Sequence, residues 1–227
     1  MSSFSDDLLT TSKRLIRRKT GQRGPLKAAY VRRSISTTYY ALFHFCLDET
    51  ALRLVGSTND LKQRRRVFIR TFSHTGLTTA FGKLKGAHID KSVENLFLGP
   101  GNTSSPIATP AFVQQLATAY LDAIAKREDA DYNLNEPLSA TDASQLHRRV
   151  KRAIDGWKQA TTPADRDFKH AVSLLLSLKD QIRREKQLLK QAYLGTNILN
   201  DRNWRNLSRP YGSASVVSPG PLVPSVR

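Results

Sequence analysis

The chain has only one cysteine, Cys46, so it can form no disulfide within itself and no cysteine-built zinc site. Cys46 lies in an apolar helical stretch and reads as a small core residue. Acids are scarce beside bases. Asp and Glu number 19 against 36 Lys and Arg, a formal net charge of +17. So large a charge repels itself in a compact fold and is usually kept where something anionic is bound, nucleic acid first and a membrane surface second. A basic bias in the source proteome would give the same counts. Long apolar runs are also lacking. The longest, residues 171–178, falls far short of the roughly 20 needed to span a bilayer. Residues 1–7 are polar and acidic, unlike a secretory leader. A cytoplasmic protein without membrane contact is therefore expected. No glycine-rich phosphate loop occurs, and no histidines or carboxylates share a ligand spacing, so neither metal nor cofactor is expected.

What is present reads as helix. Ser5, followed by Asp6 and Asp7, predicts a helix start that leads into Leu8, Leu9, Leu15 and Ile16. Gly24-Pro25 opens a second helix, with Val31, Ile35, Tyr39, Leu42 and Cys46 along one face. A third is predicted from Asn59 to Phe72 and a shorter one from Thr78 to Ala87. Residues 99–110 form a loop. Thr109-Pro110 then starts a helix that carries Phe112, Leu116, Tyr120 and Ile124 and ends near Arg127, before an acidic turn from Glu128 to Pro137. Ser139 or Thr141 caps the next helix, and Thr162-Pro163 opens a long last one. No stretch alternates as a strand would. The expected fold is all-α, an antiparallel up-and-down bundle over residues 1–160, a basic helical extension over 161–210 and a disordered tail over 211–227. The extension carries Arg183, Arg184, Lys186 and Lys190, and beyond it Trp204 lies among Arg202, Arg205 and Arg209.

Two segments resemble the HEPN family. Arg33-Ser-Ile-Ser-Thr-Thr-Tyr-Tyr-Ala-Leu-Phe-His44 is similar to that family's Arg-x-x-Ser-x-x-Tyr-Tyr-Ala-x-Phe-His helix. Arg127-Glu-Asp-Ala-Asp-Tyr132 looks like its Arg-x-x-Ala-Asp-Tyr turn, and Arg70-Thr-Phe-Ser-His74 lies between the two. The resemblance covers about residues 8–160. It implies a helical bundle that pairs as a homodimer. Many members are metal-independent ribonucleases of toxin–antitoxin or antiviral defence systems. Some are silenced by a nucleotidyltransferase antitoxin that attaches AMP to a tyrosine. Others are non-catalytic modules that bind RNA, nucleotide or a partner protein. The usual Arg-(four to six)-His spacing is missing here, since none of His44, His74, His88, His147 and His170 follows an arginine at that distance.

The resemblance makes Arg127, Asp131 and Tyr132 the candidate catalytic residues, with Tyr132 also the candidate for modification. Chemically, metal-free RNA cleavage needs a base for the 2′-hydroxyl and a cation for the charged phosphorane. Arg127 suits the second task, because a guanidinium matches phosphate oxygens and stays charged. Asp131 is either the base or the group that holds Arg127. Arg33, His44, Arg64, Arg65, Arg66, Arg70 and His74 are the candidate RNA contacts. Each has a plainer reading as well: Arg127 as a helix-end cation, His44 as a core residue, and the arginine run as a solvated face.

Overall fold

The structure is a computed structural model that describes residues 3–17, 24, 26–98 and 105–178. It is all-α. The helices are α1 (Phe4–Leu15), α2 (Ala28–Val55), α3 (Lys62–Ile69), α4 (His74–Gly82), α5 (Ala111–Tyr132) and α6 (Ala140–Gln159). A seventh helix among the described residues, α7, begins at 163 and is described to 178. Among the described residues the sole β feature is one bridge between His88 and Ala108. None of the described helices is long and apolar enough to cross a membrane.

Local chemistry explains most of the boundaries. Ser3, rather than Ser5, caps α1, in a reciprocal pair with Asp6; Ser5 is buried in the first turn. Ser139 and Asp142 repeat that device on α6, as do Thr162 and Asp165 on α7. Ser73 accepts from the Gly76 N–H and starts α4 four residues earlier than expected. The stretch predicted as one helix from Asn59 to Phe72 is instead a 3-10 turn followed by the short α3. Gly56, at φ 108°, ends α2 in a conformation that side chains disfavour. Arg65 then donates to the carbonyls of Gly56 and Thr58 and ties α3 back to that turn.

The largest departure from expectation is at α5, which runs five residues past Arg127 to Tyr132. The last carbonyls of a helix need donors from elsewhere. Arg32 on α2 supplies them, giving hydrogen bonds to the carbonyls of Asp129, Ala130, Asn133, Leu134 and Glu136 at 2.7–3.1 Å. An acidic stretch that reads as a turn is thereby held as helix.

Helix α2 is the central element and packs against α1, α3, α5 and α6. Its buried residues surround it on most sides, from Val31 to Ala51, as befits a helix enclosed by others. Tyr39, Tyr120, Phe81, Ile35 and Leu42 are among the largest fully buried side chains. The core continues past residue 160, since Phe168, Ala171, Val172, Leu175 and Leu176 of α7 belong to the same buried cluster. That part of the expected extension therefore shares the core of the preceding helices. The basic run Arg183–Lys190, the arginines around Trp204 and the tail at 211–227 lie outside the described residues.

Candidate functional site at the end of α5

Arg127 and Asp131 stand one turn apart on the last stretch of α5, so both face the same side. Arg127 Nε lies 2.7 Å from Asp131 Oδ2, and the other Asp131 oxygen accepts from Ser36 of α2 at 2.5 Å. Asp131 thus fixes the guanidinium and is itself fixed. The outer nitrogen of Arg127 donates to the hydroxyls of Tyr132 at 3.2 Å and Tyr40 at 3.4 Å. Its cationic carbon lies 5.1 Å from the Tyr132 ring centre and 5.9 Å from that of Tyr40, within cation–π range. Burial acts to lower the Arg127 pKa, but hydrogen bonding to Tyr40 and the electrostatic pull of Tyr40, Asp131 and Tyr132 outweigh it and leave it raised. Tyr132, 72% exposed, is open to solvent.

Next to this cluster stands His74, the first residue of α4. Its ring stacks on Phe43 at 4.2 Å between centres and meets Tyr40 edge-on at 6.2 Å. Its Nδ1 is hydrogen-bonded to the Tyr39 hydroxyl, which also lies 3.3 Å from the Tyr120 hydroxyl. With the proton on Nδ1, His74 donates to Tyr39, Tyr39 donates to Tyr120, and Nε2 keeps its lone pair. Burial lowers the His74 pKa, and the cation of Arg127 and His44 lower it further, which favours the neutral, proton-accepting ring. Burial pushes the Tyr39 phenol up to about 12, so it stays protonated.

The other expected contacts are scattered. Arg33 is exposed and has no hydrogen bond to a described residue, whereas its neighbour Arg32 makes the five carbonyl contacts. His44 is half-buried edge-on between Phe4 and Phe43, and burial lowers its pKa against the opposing pull of Asp48. Arg64, Arg66 and Arg70 are exposed on and beside α3. Arg65 is committed to its two carbonyls. The structure therefore gathers Arg127, Asp131, Tyr132 and His74 with Tyr40, Tyr39 and Ser36, and leaves the α3 arginines elsewhere. Sequence spacing does not reveal that His74 comes to Arg127, because the two belong to different helices. The consecutive tyrosines 39 and 40 were the available signal: one is buried toward His74 and the other faces Arg127. In comparison with known proteins, no family model, curated protein or solved structure matches this chain.

Proposed function

We propose that the chain is an RNA-acting toxin or defence effector of HEPN type, cleaving RNA without a metal and controlled by a nucleotidyltransferase partner. The observation that carries this reading is the meeting of a held guanidinium, Arg127, with a neutral imidazole, His74, across Tyr40. In the proposed reaction His74 Nε2 takes the proton of a 2′-hydroxyl. The O2′–P bond forms and the O5′–P bond breaks, leaving a 2′,3′-cyclic phosphate, while the departing 5′-oxygen takes a proton from water. Arg127 balances the charge on the phosphorane, a contribution that by analogy with oxyanion donors is worth about 10²–10³ in rate. Asp131 keeps Arg127 in place rather than acting as base, since Arg127 and Ser36 engage both of its oxygens. The exposed Tyr132 hydroxyl is reachable by a modifying enzyme, and AMP attached there would put a phosphate beside Arg127 and block it.

Expression of the chain alone should arrest growth, and the purified protein should cleave RNA in the presence of a chelator. Arg127→Ala should relieve arrest and cut the cleavage rate at least about 100-fold. Full viability of cells making either form, with no cleavage in vitro, would remove the proposal. A second reading follows from the tight engagement of Arg127 by Asp131: the same cluster binds RNA as a non-catalytic module. It predicts salt-sensitive RNA binding that is lost in Arg127→Ala, with no product formed.

A further inference from the structure

From Leu8 to Leu47 the chain carries nine Lys and Arg residues and no Asp or Glu. Three of the nine, Arg14, Arg17 and Lys27, converge on one cavity of about 480 Å³ between the end of α1 and the start of α2. Thr11 and Tyr30 line it with hydroxyls, and the half-buried Leu15 and Leu26 give it apolar surface. None of these cations and hydroxyls has an ion pair or a side-chain hydrogen bond with a described residue. The end of α1 accounts for Arg14, since a cation there answers the helix dipole. The dipole does not account for Lys27, the N-cap of α2, which stands at the positive end of a helix. Like charges gathered against apolar walls repel one another and focus their field on the space between them. Such a cavity is costly to the fold on its own and selective for anions.

We propose that this cavity binds a short chain of linked phosphates that carries no base. Every polar side chain lining it is a cation or a hydroxyl. It has no carboxylate or amide to read the donor groups that mark a base or a peptide. The ligand that meets such a lining presents acceptors and negative charge throughout. A single phosphate suits one guanidinium fork. Here Arg17, whose N–H bonds to the Arg14 carbonyl, places a second guanidinium one turn on from the first, and α2 adds a third cation. The volume is in the range of small-molecule sites and leaves room for more than one phosphate. Tyr30 lies ten residues before Tyr40, about 15 Å along α2 at 1.5 Å per residue, and no residue of the Arg127 cluster lines the cavity. Phosphate binding here is independent of cleavage at Arg127, and either can fail without the other.

Calorimetric titration of the full chain with tripolyphosphate, ATP and inorganic phosphate tests it. Tripolyphosphate should bind at least about tenfold more tightly than phosphate, through its additional charge-assisted contacts. ATP, whose phosphates form the same chain, should bind no more tightly than tripolyphosphate. Arg14→Ala/Lys27→Ala should weaken tripolyphosphate about tenfold or more. It should not lower the melting temperature of the protein without ligand, since removing like charges relieves repulsion. Lys85→Ala/Lys91→Ala removes the same charge at two exposed positions outside the cavity and should leave the affinity unchanged. No binding at millimolar tripolyphosphate, equal affinity for phosphate, or equal losses in the two double variants would overturn the proposal. So would tighter binding of ATP than of tripolyphosphate, because the base would then be read. A short RNA, or vesicles containing phosphatidic acid, that bound more tightly than tripolyphosphate and lost that advantage in Arg14→Ala/Lys27→Ala would also overturn it, by making the cavity part of a strand or membrane contact.

Discussion

The Tyr39 hydroxyl meets Nδ1 of His74, joining the middle of α2 to the first residue of α4. Because Tyr39 is fully buried and lies 3.3 Å from the Tyr120 hydroxyl of α5, the bond orients a histidine that is itself largely at the surface. A ring held at one nitrogen by a buried phenol offers the other in a fixed direction. The stacking of His74 on Phe43 at 4.2 Å limits the same rotation. The histidine is thus positioned by the core, while Arg127 is positioned by the end of α5.

The first prediction concerns pH. If His74 accepts a proton, the cleavage rate should rise with pH and level off once the ring is neutral. Burial, Arg127 and His44 all lower its pKa from 6.5, so the midpoint of the rise should fall below that value. His74→Gln should abolish this limb along with most of the activity. Tyr39→Phe should keep a limb but slow the reaction, and cost about 1 kcal/mol of stability for the lost hydrogen bond. A rate that stays flat down to the acid limit of folding in the unaltered protein would exclude His74 as the base.

A second prediction separates two adjacent arginines. Arg32 supplies five carbonyls at and beyond the end of α5, while Arg33 is exposed with no described partner. Arg32→Ala should lower the unfolding free energy by about 2 kcal/mol, in the range for charged hydrogen bonds. It should also fray the last turn of α5, where Arg127 and Asp131 reside. Arg33→Ala should stay within about 0.5 kcal/mol. Urea unfolding of both variants, read by far-ultraviolet dichroism, decides between them. Equal effects would mean that the carbonyl contacts contribute nothing.

These arginines also show how far the sequence alone could lead. The helices were legible because apolar spacing and caps such as Ser139–Asp142 act within a few residues. The end of α5 was not, because the donor that extends it comes from Arg32, roughly a hundred residues earlier in the chain. The same holds at the site. Arg127 and Asp131 share a helix face, so their pairing follows from spacing. His74 follows Arg70 by four residues, yet the arginine it approaches is Arg127, through contacts with Tyr39 and Tyr40. A motif search reads arginine–histidine pairs along the chain and is blind to one assembled in space.

A third prediction uses a buried histidine away from the site. His147 of α6 is bonded through Nδ1 to the Ser12 hydroxyl at 2.9 Å, and the Ser34 hydroxyl donates to the Ser12 carbonyl at 2.8 Å. This polar contact ties together α1, α2 and α6. Burial lowers the His147 pKa from 6.5, with Lys13 and Lys151 adding to the effect, so the unfolded chain binds the proton more readily. Stability from this group is complete above pH 6.5 and is lost as pH falls toward its folded value. His44 and His74 act in the same direction. Asp48, whose pKa burial raises, acts in the opposite one. The His147 contribution is therefore read as a difference: between pH 7 and 5 the melting temperature should fall less steeply in His147→Gln than in the unaltered chain. Parallel slopes would show that His147 titrates alike in both states.

The last prediction concerns Glu94, a buried carboxylate in the segment between α4 and α5. One oxygen accepts from the Ser105 hydroxyl at 2.9 Å and the other from the Ile107 N–H at 2.8 Å. Ile107 is itself in the core, and its carbonyl accepts from the Ile89 N–H. The carboxylate therefore secures the chain just before α5, the helix that presents Arg127. Gln at this position keeps one acceptor but turns a donor toward the second partner, so Glu94→Gln should cost about 1–2 kcal/mol. Glu94→Leu should cost more, about 3 kcal/mol, because it strands both donors. Amide exchange at Ile107 is the sharper measurement, since its N–H loses its acceptor only in the second variant. If that amide exchanges equally slowly in Glu94→Leu, another acceptor protects it and Glu94 is not what holds the segment.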